Sequence, residues 1–207
     1  MRRLAVLRPE PGNAATAARI EALGHVALRL PLFVVRSLDW EAPDPADFDS
    51  LLLSSANAVR HAGPDLARLT DLPVYAVGRA TAVAAEAAGF TVVAIGESGV
   101  DAVTAPGRIL RLVGRDHRPA RAARTIAVYA SEPLTPPLMA LEDATALLHS
   151  ARAAERLAAL IADRSGVRIA AISPAALAAA GVGWRAASIA DRPTDAALID
   201  AALTLAD

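Results

Sequence analysis

The sequence predicts an α/β protein built from two similar α/β domains with parallel sheets and a cleft between them. Three observations carry this. Leu51–Val59 (LLLSSANAV) is echoed 95 residues on by Ala146–Ala154 (ALLHSARAA), and at the same offset Tyr75–Thr81 is echoed by Ala170–Ala176. Two blocks that share one offset mark an internal duplication. Short apolar runs alternate with Ala-rich helical patterns through both copies, which is the signature of parallel α/β layers. The 207 residues, 54% hydrophobic and 21% charged, supply core enough for two domains of roughly 100 residues each.

The elements follow in order. Leu4–Leu7 is a short buried strand ending at Arg8-Pro9. Pro11, Gly12 and Asn13 form a loop, and Asn13 is expected to cap a helix from Ala14 to about Leu23, which Gly24 ends. Val26–Val35 is an extended run broken by Pro31. Ser37–Asp47 is a polar, Pro-rich connection. Phe48–Leu53 is the next buried strand, and Ser54 or Ser55 caps a helix expected to reach from Ala56 to about Leu69. Pro73–Val77 is a strand, Gly78 a turn, Ala80–Ala88 a helix, Thr91–Ile95 a strand and Gly96–Gly99 a turn. A further helix is expected from Asp101 to about Ala105. Arg108–Gly114 and Thr125–Ala130 are strands joined by an Arg-rich connection with little room for a helix. The second copy then runs through a short helix (Leu138–Leu141), a strand (Ala144–Leu148), a helix (Ala151–Ala162), a strand (Val167–Ile172), a helix (Ala175–Ala180), a strand (Ala186–Ala190) and a last helix capped by Thr194.

Composition narrows the function. There is no Cys, which excludes disulfides, thiolate nucleophiles and cysteine metal sites and leaves the cytoplasm as the expected location. A net charge of -1 gives no electrostatic reason to expect nucleic acid. Met1-Arg2-Arg3 runs directly into a strand, so no signal peptide is expected, and no apolar run has the length of a membrane span. His25, His61, His117 and His149 have no paired spacing, so no metal site is expected.

The candidate chemistry lies where strands meet helices. Ser54/Ser55, Gly78/Thr81, Ser150 and Ser173 stand at such junctions, where free N–H groups and partial positive charge suit carboxylates or phosphates. Each also reads as a plain helix cap. Arg8, Arg79, Arg115 and Arg152 follow strand ends and suit bidentate binding of an anion, or are solvated surface groups. Tyr129 is one of two Tyr. It sits on the extended strand between the two copies, and a phenol that stays protonated at neutral pH can donate a proton to a departing oxygen.

At this point the residues resemble a known family. Val6-Leu7-Arg8-Pro9 with Gly24, Leu53–Val59, Tyr75–Ala82, Val128-Tyr129, Leu148-His149-Ser150, Ala171–Pro174 and Arg192–Asp195 together resemble the uroporphyrinogen-III synthase family over essentially the whole chain. The resemblance implies discontinuous domains, 1–33 with 134–207 and 39–124, joined by hinge strands 34–38 and 125–133. It implies cyclisation of hydroxymethylbilane, a polycarboxylate, to uroporphyrinogen III with inversion of the terminal pyrrole ring, without a cofactor, by a monomer that contacts neither membrane nor nucleic acid. Tyr129 matches the Tyr thought to assist hydroxide departure, and Ser55, Thr81 and Ser150 match cleft residues. Arg8, Asn57, Gly78, Arg152 and Ser173 complete the expected substrate-binding set. Two departures stand out: Ala176 replaces the usual Thr, and the Arg115–Arg124 connection is short. A non-catalytic two-domain binding protein for a small anionic ligand is the alternative reading of the same residues.

Overall fold

The computed structural model describes residues 1–96 and 104–205. The chain divides into two compact units, Met1–Val34 with Pro133–Asp207, and Val35–Glu132.

The first unit holds a five-stranded sheet. Its strands are β1 (Arg3–Val6), β2 (Val26–Arg29), β9 (Thr145–Leu148), β10 (Arg168–Ala171) and β11 (Ala186–Ile189), in spatial order β11-β10-β9-β1-β2. Neighbouring strands run parallel throughout. Helices α1 (Gly12–Ala22), α4 (Ala151–Leu160), α5 (Pro174–Ala180) and α6 (Asp195–Thr204) make the connections and cover the faces. Alternation along β1 shows how: Leu4 and Val6 pack with Ile20 and Leu198, whereas Ala5 and Leu7 pack with Ala154, Leu157 and Ala176. A strand buried on both faces must be apolar throughout, which is why these strands read as unbroken hydrophobic runs.

The second unit holds a six-stranded sheet of order β3-β8-β7-β4-β5-β6. Its strands are β3 (Phe33–Ser37), β4 (Ser50–Leu53), β5 (Val74–Val77), β6 (Val92–Gly96), β7 (Ile109–Gly114) and β8 (Arg124–Pro133), and its helices are α2 (Ala56–His61) and α3 (Arg79–Ala87). The pairs β8–β7, β7–β4, β4–β5 and β5–β6 are parallel. Leu51 and Leu53 face the cluster that contains Ala58, Val59 and Ala82, while Leu52 faces Ile109 and Tyr75.

The duplication extends to hydrogen-bond register. In the first unit Thr145 pairs Leu4, and Ile169 pairs Ala146; in the second Ser50 pairs Ile109, and Val74 pairs Leu51. In chain order the first sheet is of the doubly wound 2-1-3-4-5 kind. With edge strand β3 set aside, the other five strands of the second sheet reach the same order when counting starts at β7, so these five are a circular permutation of the first sheet. Each has its topological switch point at equivalent strands: β1 against β9, and β7 against β4.

Several sequence expectations are corrected. Asn13 does not cap α1: Pro11 holds that position. Asn13 is fully buried inside the helix, and its Nδ2 donates to the carbonyls of Val6 and Arg8 at 2.9 Å. The helix expected from Ala56 to Leu69 stops at His61. Gly63, at φ 72°, and Pro64 break it, and a 3-10 helix covers Pro64–Leu69. Most of the helix expected from Asp101 to about Ala105 and of the Gly96–Gly99 turn lies outside the described residues; Thr104 and Ala105, which are described, are not helical. The Arg115–Ala123 connection contains no helix. It is tied down by Arg111, a charged residue 2% exposed on β7, which donates to Arg118 O at 2.8 Å.

Candidate functional site

Parallel strands place their carboxyl ends at one edge of a sheet, and the predicted polar residues collect there. In the first unit Arg8 follows β1, Ser150 follows β9, Ser173 follows β10 and Thr194-Asp195 follows β11. In the second unit Ser54 and Ser55 follow β4, Gly78 follows β5, and Gly114 closes β7.

Four hydroxyls at these junctions are helix caps in the structure, and of the Ser54-Ser55 pair it is Ser55 that caps α2. Ser55 Oγ accepts from Asn57 N at 3.2 Å, Ser150 Oγ from Ala153 N at 3.2 Å, Ser173 Oγ from Ala176 N at 3.3 Å, and Thr194 Oγ1 from Ala197 N at 3.3 Å. Gly78 adopts φ 82°, a conformation costly for other residues, and its carbonyl accepts from Thr81 N and Ala82 N. Thr81 lies in the first turn of α3 and is 4% exposed. Asn57 sits half-buried in the first turn of α2. Arg152 stacks its guanidinium 4.5 Å above the centre of the Phe33 ring, a cation–π contact.

A carboxylate that sequence reasoning passed over organises the first unit. Asp195, 15% exposed, accepts from Thr16 Oγ1 at 2.8 Å and from His149 Nε2 at 2.8 Å. It also pairs with Arg19, and Arg8 Nη1 stands 3.7 Å away. Burial raises its pKa, but the hydrogen bonds from His149, Thr16 and Arg19 outweigh burial and hold the carboxyl well below its ordinary value. Because a carboxylate only accepts, Nε2 of His149 carries the proton in this contact. The imidazole is 6% exposed, and its Nδ1 is buried with no protein partner among the described residues. The sequence signals for this hub were the Arg192–Asp195 ending and the segments that carry His149 and Arg8, none of which shows that they meet. A second network surrounds buried Asn13, whose Oδ1 accepts from Arg29 Nε at 2.9 Å, while Arg29 also pairs with Glu10.

In the second unit Tyr129 lies on β8 opposite Gly114. Its ring packs against the cluster of Leu53, Ala58, Val59 and Leu112, so it shares one face of the sheet with α2, the helix of the repeated stretch. His61, on the last turn of α2, has its ring centre 6.4 Å from that of Tyr129. Burial and then the charge of Arg60 lower the pKa of His61.

Among the described residues no cluster of three or more His, Cys, Asp or Glu is arranged to hold a metal, and no helix is long and apolar enough to cross a membrane.

Fold and strand-end chemistry together define a class: duplicated α/β proteins whose polar groups gather at the carboxyl ends of parallel strands. The chain belongs to the uroporphyrinogen-III synthase family, whose model (HEM4, uroporphyrinogen-III synthase HemD) matches residues 14–200. Members are lyases of haem and porphyrin biosynthesis, and this membership supports the synthase reading over the binding-protein alternative. The chain is similar in structure to the uroporphyrinogen-III synthetase of Helicobacter pylori, with a TM-score of 0.69, 17% identity and 100% of both chains covered. It is also similar to a mutant uroporphyrinogen III synthase of the extremely thermophilic bacterium Thermus thermophilus, with a TM-score of 0.56, 18% identity and 97% of both chains covered. At these identities the likeness speaks for the fold. No curated protein sequence matches the chain.

Proposed function

We propose that the chain converts hydroxymethylbilane to uroporphyrinogen III chiefly by restraint, with Tyr129 as the acid. The substrate is linear, flexible and carries eight carboxylates, so holding it in one folded pose removes most of the entropic barrier. The helix N-termini behind Ser55, Gly78 and Ser150, with Arg8, Asn57, Thr81, Arg152 and Ser173, are assigned to its carboxylates. The N-terminus of α4 is ten residues of aligned peptide dipoles capped by an exposed Ser150.

The chemistry begins at the terminal hydroxymethyl carbon. Tyr129 O–H hydrogen-bonds the departing oxygen, the C–O bond breaks, and water leaves with the phenolic proton. The resulting azafulvene is attacked by the substituted carbon of the last pyrrole. The spiro intermediate fragments and closes again with that ring inverted, and the proton lost on rearomatisation restores the acid. The observation that carries this reading is the phenol held on β8 against the carboxyl end of β7, the strand that borders the β7–β4 switch point, where open α/β sheets bind ligands.

The chain passes between its units at Val34-Val35 and Glu132-Pro133, within or at the end of β3 and β8. We assign these strands the hinge role, and assign the protein to the cytoplasm as a monomer that acts on a small molecule without nucleic-acid or membrane contact. The function is tested by supplying enzymatically generated hydroxymethylbilane and separating the porphyrin isomers after oxidation. The type III isomer is expected. Type I alone, the spontaneous product, overturns the reading.

A further inference from the structure

Strand β7 is buried along its whole length and ends in Gly114. The backbone at Gly114 is not in the left-handed region. Conformational freedom therefore does not explain the glycine. Space does. A Cβ at Gly114 would lie 2.7 Å from Cζ, 2.8 Å from Cε2 and 3.0 Å from Oη of Tyr129. The first two are far inside van der Waals contact, and the ring has only two torsions with which to escape.

The pairing of the two strands brings the ring to this place. Val113 pairs Ala127, but Gly114 pairs Tyr129, so a bulge sets Val128 apart. Adjacent residues on a regular strand point to opposite faces. Here Val128 and Tyr129 pack against the same hydrophobic cluster, because a bulge re-aims a side chain. Arg115 N then donates to Tyr129 O at 2.8 Å and locks the slipped register.

We propose that Gly114 is the positioning residue for Tyr129: it provides the bare backbone against which the phenol ring lies, and so fixes where the hydroxyl meets the departing oxygen. This rests on the assignment of Tyr129 as the acid. Gly114 has no side chain to offer the substrate and acts through the ring.

The test is a pair of double-mutant cycles on the full chain. In turnover of hydroxymethylbilane to the type III isomer, Gly114→Ala lowers kcat on the order of 100-fold, the loss that follows a displacement of about 1 Å, with KM little changed. In a Tyr129→Phe background, Gly114→Ala costs little more, because the hydroxyl it would misplace is gone. A further loss of similar size in that background overturns the proposal. In thermal unfolding, Gly114→Ala lowers Tm when Tyr129 is present and has little effect when Tyr129 is Ala. Equal losses in both backgrounds overturn it as well. If Gly114→Ala alone does not fold, the proposal requires that Gly114→Ala/Tyr129→Ala does, and a double variant that also fails to fold overturns it. Coupled unfolding together with normal turnover by Tyr129→Phe overturns the acid assignment, and the positioning role with it, leaving a packing contact. A slow Tyr129→Phe with no coupling to Gly114 overturns the positioning role alone.

Discussion

His149 Nε2 lies 2.8 Å from Asp195 Oδ1, joining the end of β9 to the first turn of α6 across 46 residues of sequence. Thr16 reaches the same oxygen from α1, 179 residues away. One carboxylate thus fastens three elements of the first unit beside Arg8. Acidic groups are favoured in the first turn of a helix, so α6 and the surrounding donors act in the same direction.

The hub predicts acid sensitivity. The folded pKa of Asp195 is held below its unfolded value near 4. Its contribution is fully present above that value and is lost as pH falls through it towards the depressed folded value. Asp195→Asn should lower stability at pH 7 by about 1–3 kcal/mol, the cost of a disrupted network of buried donors, and the deficit should be only partly reduced at pH 3, where the depressed folded pKa keeps the carboxyl largely ionised. Urea midpoints at the two pH values check this. An equal deficit at both would show that the carboxylate charge is not the source.

Tyr129→Phe should slow turnover on the order of 10–1000-fold, the lower end corresponding to a water that takes over as acid. Substrate binding should change little, because the ring and its contact with Gly114 are retained. Single-turnover measurements separate the two effects. Unchanged turnover would remove Tyr129 from the chemistry while leaving family membership untouched.

The duplicated caps make a matched pair. Ser55→Ala and Ser150→Ala should each cost about 1 kcal/mol of stability, measured by denaturant unfolding, since each removes one acceptor from a helix N-terminus. Gly in place of either Ser should restore most of that loss. If the same N-termini hold substrate carboxylates, the Ala variants also raise KM with little change in kcat. Cap loss without any change in KM would confine both serines to a structural role.

Much of the architecture was legible because the duplication is local. Leu51–Leu53 and Ala146–Leu148 are apolar for the same reason: each forms a central strand covered on both faces. The helix caps at Ser55, Ser150, Ser173 and Thr194 followed from hydroxyls at strand ends. The break at Gly63-Pro64 was present in the sequence, but the Ala and Leu spacing on either side masked it. Other features could not be read locally. Asn13 has the residue type and loop setting of a cap, yet the carbonyls of Val6 and Arg8 claim its side chain. The Asp195 hub depends on Thr16 and Arg19, both more than 100 residues away, and hydrophobic periodicity carries no information about such partners. The bulge at Gly114 is a matter of pairing between strands, so neither strand alone reveals it.

The permuted strand order has one further consequence. Leu134 N donates to Leu32 O at 2.8 Å, so the two cut ends of the first unit are already joined by a backbone hydrogen bond. All five of its strands, in their complete order, come from residues outside Val35–Glu132. The second unit is therefore a guest inserted into a host that is whole without it. Bridging Leu32 to Leu134 with a short turn would leave every strand pairing of that host intact.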